Sequence, residues 1–199
     1  MNFCPDNLYH IYNQGNNRQA IFSCDEEHGI FLNLIRENIK PNCEIINWCL
    51  MPNHFHLMIY TDERVLSINK QGGLEIDVLT NGIRKLLSGY ARIYNSRHQQ
   101  SGSLFRQKTK SKCLSDDNIK YNLNQNDYYF NCFHYIHQNP FVAVLVKRME
   151  DWKFSSFRDY AGLRNGTLCN KSLAVKYCSY EPETFMKTSY QIINDFGFL

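Results

Sequence analysis

Short alternating runs, interrupted by one helically spaced stretch, fill the first sixty positions, and helical spacing dominates later. Leu8-Tyr9-His10-Ile11-Tyr12-Asn13 is aromatic and β-branched and closes on Gln14-Gly15-Asn16-Asn17, which predicts a strand and a turn. Asp25-Glu26-Glu27 opens a predicted helix, since acids in a first turn suit the positive end of the helix dipole. Ile30, Phe31, Leu34 and Ile35 form its apolar stripe, and the helix fails before Pro41. Residues 44–51 and 54–60 read as two more strands, broken by Met51-Pro52-Asn53, because Pro and Asn punctuate turns. Residues 61–73 are polar and contain glycine, which predicts a loop.

Ile83, Leu86, Leu87, Tyr90, Ile93 and Tyr94 then share one helical face, with Lys85, Ser88 and Arg92 on another. Ser101-Gly102-Ser103 ends that helix. Residues 104–114 look extended, and at strand period Arg106, Lys108, Lys110 and Lys112 would form a comb of cations on one face. A last helix is expected over residues 127–139, stopping at Pro140, followed by an aromatic-rich stretch at 152–160. Residues beyond 162 give no clear element. The order strand, helix, strand, strand, helix, strand, helix predicts an α+β sandwich: an antiparallel sheet with helices packed on one face. A main domain over residues 1–146 would carry a C-terminal extension, 147–199, packed on it.

Composition narrows the class. With 199 residues, 43% of them hydrophobic, the chain can bury one core. It offers no apolar stretch of membrane-span length and no secretory leader at residues 1–8, so a cytoplasmic protein without membrane contact is expected. Eight cysteines include no CxxC pair, which disfavours zinc ribbons and thioredoxin-like redox sites and leaves reduced, mostly buried thiols. Net charge is only +3, but residues 78–114 hold no acid while carrying Arg84, Lys85, Arg92, Arg97, Arg106, Lys108, Lys110 and Lys112. Acids gather elsewhere, as in Asp25-Glu26-Glu27 and Asp116-Asp117. A one-signed block in a near-neutral chain fits a polyanionic partner, although a solvated basic face gives the same pattern.

The candidate chemistry starts at His54-Phe55-His56. On a strand, residues two apart face the same way, so two imidazoles stand side by side while Phe55 enters the core. That is half of a metal site, or simply two solvent-facing histidines. Tyr135 and Asn139 lie four apart and share a helix face. Asn139 offers an amide oxygen as a further ligand, and Tyr135 a phenol beside it. A phenol with a pKa near ~10 is a weak nucleophile at neutral pH, but attacks a phosphodiester when a cation polarises the phosphate. Among thirteen tyrosines, chemistry alone does not single out Tyr135.

Met51-Pro52-Asn53-His54-Phe55-His56-Leu57 together with Tyr135-Ile136-His137-Gln138-Asn139-Pro140 resembles the single-tyrosine HUH transposases, and among them the REP-associated tyrosine transposases. The stretch from Tyr9 to Gln19, Gly102-Ser103-Leu104-Phe105-Arg106-Gln107 and the Trp152 to Tyr160 stretch are similar to further parts of that family in the same order. The resemblance implies a ferredoxin-like or RRM-like α+β fold, His54, His56 and Asn139 as ligands of Mg²⁺ or Mn²⁺, and Tyr135 as nucleophile. It makes the main domain, residues 1–146, the catalytic one. It implies cleavage and rejoining of single-stranded DNA beside a hairpin through a 5′-phosphotyrosine link, by a nucleoid-associated monomer or homodimer. Lys85, Arg92, Arg106, Lys108 and Lys110 are the expected phosphate contacts. The alternatives are a domesticated hairpin- or single-strand-binding protein without strand transfer, and a hydrolytic nuclease in which Tyr135 is structural. Gln14 departs from the basic residue that many relatives place there.

Overall fold

The computed structural model describes residues 1–71, 73–115, 125–191 and 193. Four antiparallel strands form its central sheet in the order β2-β3-β1-β6: β1 (Asn7–Gln14), β2 (Glu44–Met51), β3 (His54–Thr61) and β6 (Lys110–Cys113). With α1 (Asp25–Asn38) after β1 and α2 (Val78–Arg97) before β6, this is the ferredoxin-like β-α-β-β-α-β arrangement. Alternation along the strands sorts the side chains onto two faces. Ile11, Trp48, Leu50, Phe55, Leu57 and Ile59 pack against α1 and α2 on one. The other carries His10, His54 and His56 and is covered by α3 (Gln125–Val142) and the C-terminal extension, with Ile46, Cys49, Met51 and Met58 in contact with Tyr128, Tyr129, Phe133 and Ile136. A β-bulge between Ile45 and Asn47 turns Asn47 toward α3, where its buried Nδ2 donates to the Phe133 carbonyl at 2.7 Å.

Three segments depart from the pattern-based expectation. Within residues 61–73, expected as a loop, lie a short 3₁₀ turn and the first strand of a hairpin, β4 (Ile68–Gln71) with β5 (Leu74–Asp77), which feeds directly into α2. The cationic comb is a strand only over Lys110–Cys113. Leu104 and Phe105 are drawn into the core instead; Arg106 still bonds the Gln14 carbonyl through its N–H, and Asn13 Nδ2 donates to the Arg106 carbonyl and Thr109 Oγ1, holding residues 107–109 off the sheet. Finally, α3 does not stop before Pro140 but runs through it to Val142. The proline costs the one bond its N–H would make to the Ile136 carbonyl, and less than a turn of helix follows it. Asp116-Asp117 lie outside the described residues.

From residue 147 the chain wraps around the β2 edge. The Leu50 N–H donates to the Phe154 carbonyl and the Ser156 N–H to the Trp48 carbonyl, both at 2.9 Å, and the Asn170 N–H reaches the Ile45 carbonyl at 2.8 Å. These bonds satisfy groups that an open edge would expose. The helices α4 (Phe157–Tyr160), α5 (Lys171–Cys178) and α6 (Phe185–Ser189) then close over α3. Cys43, Cys49, Cys132 and Cys178 are buried thiols. Among the described residues no helix is long and apolar enough to cross a membrane.

Two expected outcomes follow from this packing. A Cβ at Gly82 would lie 2.1 Å from the Asn38 carbonyl oxygen, backbone against backbone, whereas at Gly89 on the same helix the nearest atom is 4.0 Å away. Gly82→Ala should cost about 2 kcal/mol or more in urea unfolding, and Gly89→Ala should be neutral or stabilising by about 0.5–1 kcal/mol. The second outcome concerns acid. Burial lowers His10 to about 3 and His134 to about 4, and holds His56 and His137 well below the ordinary 6.5. Each is neutral in the fold and takes up a proton on unfolding below 6.5, so their contribution is complete above that pH and is lost as pH falls toward the folded values. Unfolding free energy should fall between about pH 6.5 and 5 with a slope steeper than the ~1.4 kcal/mol per pH unit of a single group; a flat profile there would mean solvated imidazoles.

Candidate metal and nucleophile site

The β2–β3 turn marks the end of the sheet where the site forms. In register, His56 lies between Tyr12 on β1 and Cys49 on β2, and His54 between Gln14 and Met51. Phe55 points the other way, fully buried against Phe31 at 5.1 Å between ring centroids. Both histidines thus face α3, as strand parity predicts. The Tyr135 ring stands edge-on to His56 at 5.8 Å, and Asn139, one turn later on α3, is near enough to His54 to act on its protonation. The four residues singled out in the sequence, from β3 and α3, are therefore brought together.

Hydrogen bonding fixes which atoms they present. Asn53 Nδ2 donates to the Arg18 carbonyl at 3.3 Å, which orients the amide and turns its Oδ1 to His54 Nδ1 at 2.6 Å. An amide oxygen only accepts, so the proton of neutral His54 sits on Nδ1 and Nε2 keeps its lone pair. Burial lowers His54 to about 4, against a partly opposing hydrogen bond with Asn139, so it is neutral at pH 7. On the other side, Asn139 Nδ2 donates back to the Tyr135 carbonyl at 2.8 Å, which leaves Oδ1 to accept. Oδ1 and the His54 Nε2 lone pair are both acceptors, which a cation would satisfy together. His56 Nε2 is likewise buried with no hydrogen-bond partner in the structure. Unpaired buried acceptors are costly, and the donor set suits a divalent ion that completes its shell with water or phosphate oxygen. Among the described residues no three His, Cys, Asp or Glu side chains form a metal cage; the set here is two imidazoles and an amide.

Beside His54 opens a cleft of about 500 Å³ whose lining includes Tyr12, Gln14, Arg18, Arg106, Lys108 and Lys110. Three of the five expected phosphate contacts thus meet the histidine site even though they do not share a strand. The segment carrying them also walls a groove of about 770 Å³ against Arg84 and Ser88 on α2. Lys85 and Arg92 are exposed on α2, across the sheet from the histidines, and line neither cavity. Arg97 is engaged with Glu26 through two hydrogen bonds of 2.7–2.8 Å. Tyr12 lines the cleft, while Phe105 is buried in the core.

Two contributors were not singled out in the sequence. Arg18 reaches the cleft from the turn after β1. His10, fully buried, places Nε2 2.8 Å from His56 Nδ1, with its ring 6.3 Å from that of Tyr135. Strand parity puts His10 and Tyr12 on one face, but only the β1–β3 register brings that face to His56.

No family model and no curated protein matches the chain. Among solved structures, one that it resembles is a REP-associated tyrosine transposase bound to a REP hairpin, at 17% identity and a TM-score of 0.52, over 85% of this chain and 92% of that one. At this identity the likeness speaks for the fold. The chain has the α+β fold of a REP-associated tyrosine transposase.

Proposed function

We propose that this protein is a single-tyrosine HUH transposase of the REP-associated kind, which cleaves and rejoins single-stranded DNA at hairpin-associated sites through a 5′-phosphotyrosine intermediate. The observation that carries this reading is the convergence of Tyr135 and Asn139, one helical turn apart, on His54 and His56 at the mouth of a cationic cleft. The fold it shares with a hairpin-bound transposase supports it.

In this reading Arg106, Lys108 and Lys110 hold backbone phosphates, and Arg18 and Tyr12 lie along the same path to contact phosphate and base. Tyr135 Oη attacks phosphorus in line, the bond to the 3′ oxygen breaks, and the released 3′-hydroxyl gains a proton as the phenol loses one. One phosphodiester replaces another, so the bond energy is kept and the step can run backwards onto a new 3′ end. A divalent ion, Mg²⁺ or Mn²⁺, held by His54, His56 and Asn139 would supply neutralisation of the non-bridging oxygens. The rigid α3 and the neutral imidazoles keep these groups in place without reorganisation.

Wild-type protein incubated with Mg²⁺ or Mn²⁺ and labelled single-stranded hairpin DNA from its genomic flanks should form a covalent adduct on a denaturing gel. The adduct should vanish with EDTA, and Tyr135→Phe should abolish it and slow cleavage about 1,000-fold or more. Cleavage without adduct that survives in Tyr135→Phe would replace this reading with a hydrolytic nuclease; binding alone would leave a DNA-binding protein. For the cleft, Lys108→Ala with Lys110→Ala should flatten the salt dependence of binding by about 1.4 in log–log slope, roughly 0.7 per lost phosphate contact on a single strand. An unchanged slope would remove both lysines from the interface.

A further inference from the structure

We propose that His10 is a positioning residue that fixes the tautomer of His56, accepting the His56 Nδ1 proton so that the Nε2 lone pair is left for the metal. The inference rests on the metal-site reading above and assigns to β1 a part in it that neither the HxH motif nor Tyr135 and Asn139 contain.

Geometry carries the argument. His10 Nε2 and His56 Nδ1 lie 2.8 Å apart, both rings are fully buried, and they are stacked at 5.0 Å with 23° between their planes. Two neutral imidazoles at this distance share one proton, which belongs either to His56 Nδ1 or to His10 Nε2. If His10 donated, the His56 proton would sit on Nε2, the atom that is buried without a partner. That would block the position from any metal; satisfaction of buried donors does not choose by itself, because the other tautomer places the His10 proton on Nδ1, which is buried as well. If His10 accepts, His56 Nε2 carries a lone pair that a metal can take. Asn53 imposes the same protonation on His54 through an amide oxygen. The two ligands thus receive the same tautomer from two acceptors of different chemistry, one on the turn and one on the neighbouring strand. A metal-bound imidazole generally needs such an outer partner for its second nitrogen.

His10 cannot be replaced by a residue that only fills space. It sits opposite Met58 in the β1–β3 register and beside Tyr12, with rings 4.8 Å apart. Phenylalanine would keep the stacking and the volume while removing the acceptor. Glutamine would return an acceptor oxygen near the position of Nε2.

The first readout needs no variant and no metal: a long-range ¹H–¹⁵N spectrum of metal-free protein labelled at histidine, near pH 7, with His56 assigned by its loss in His56→Gln. The proton is expected on His56 Nδ1; a proton on Nε2 overturns the inference. The second is the affinity for Mn²⁺ alone, by calorimetry. His10→Phe should weaken it about 10- to 100-fold, and His10→Gln should recover most of the loss, which filling the core alone would not do. If His10→Phe bound Mn²⁺ as tightly as wild type, His10 would be a packing residue and the metal site would stand. If wild type itself bound neither Mn²⁺ nor Mg²⁺, the metal reading and this inference would fall together. Should His10→Phe not fold, the wild-type spectrum and His10→Gln decide the question.

Discussion

The site depends on how one helix is seated. α3 carries Tyr135 and Asn139 on the flank toward the sheet, and a rotation by a single residue would swing both away by about 100°. Its seat is fixed from two sides. In front, Asn47, back in register just past the bulge, reaches the Phe133 carbonyl. Behind, Gln138 Nε2 donates to the carbonyls of Ser189 and Gln191 at 2.8 Å, His134 Nδ1 lies 3.0 Å from Ser189 Oγ, and His137 Nε2 2.8 Å from Ser156 Oγ. The extension is therefore the back wall of the active helix as well as the cover of an edge strand. His134, His137 and Gln138 alternate with Tyr135 and Asn139, so each chemical residue has a clamping neighbour.

The electrostatics divide by burial. Next to the sheet the groups are neutral imidazoles and an amide, desolvated and fixed in orientation. Arg106 and Lys108 are instead exposed at the cleft rim, where charge costs little and a polyanion can still be met. A dry donor set behind a wet cationic mouth would let an anion be attracted from a distance and fixed only at the end.

How much of this the sequence discloses follows from the range of each interaction. β1, β2, β3 and α1 are written in local alternation and caps, and the shared face of His54 and His56 follows from strand parity alone. The pairing of Tyr135 with Asn139 follows from helical spacing. What local patterns do not carry is pairing across the fold. His10 meets His56 through a register set between strands more than forty residues apart. The 106–112 comb has a strand's alternation, yet the Asn13 side chain and the burial of Leu104 and Phe105 override it. Pro140 reads as a stop, but tertiary packing carries α3 past it. The extension lacks a readable period because its short helices are stabilised by the surface they cover.

With the β2 edge already occupied, β6 is the remaining outer strand of the main sheet among the described residues. It is four residues long, Lys110-Ser111-Lys112-Cys113, and two of the four are lysines. A second molecule approaching edge to edge would set lysine against lysine, a repulsion that short charged edges use to keep sheets from growing. The charges that would suit a polyanionic partner would thus also keep this sheet from pairing with its own copies, and a bound polyanion would neutralise that protection.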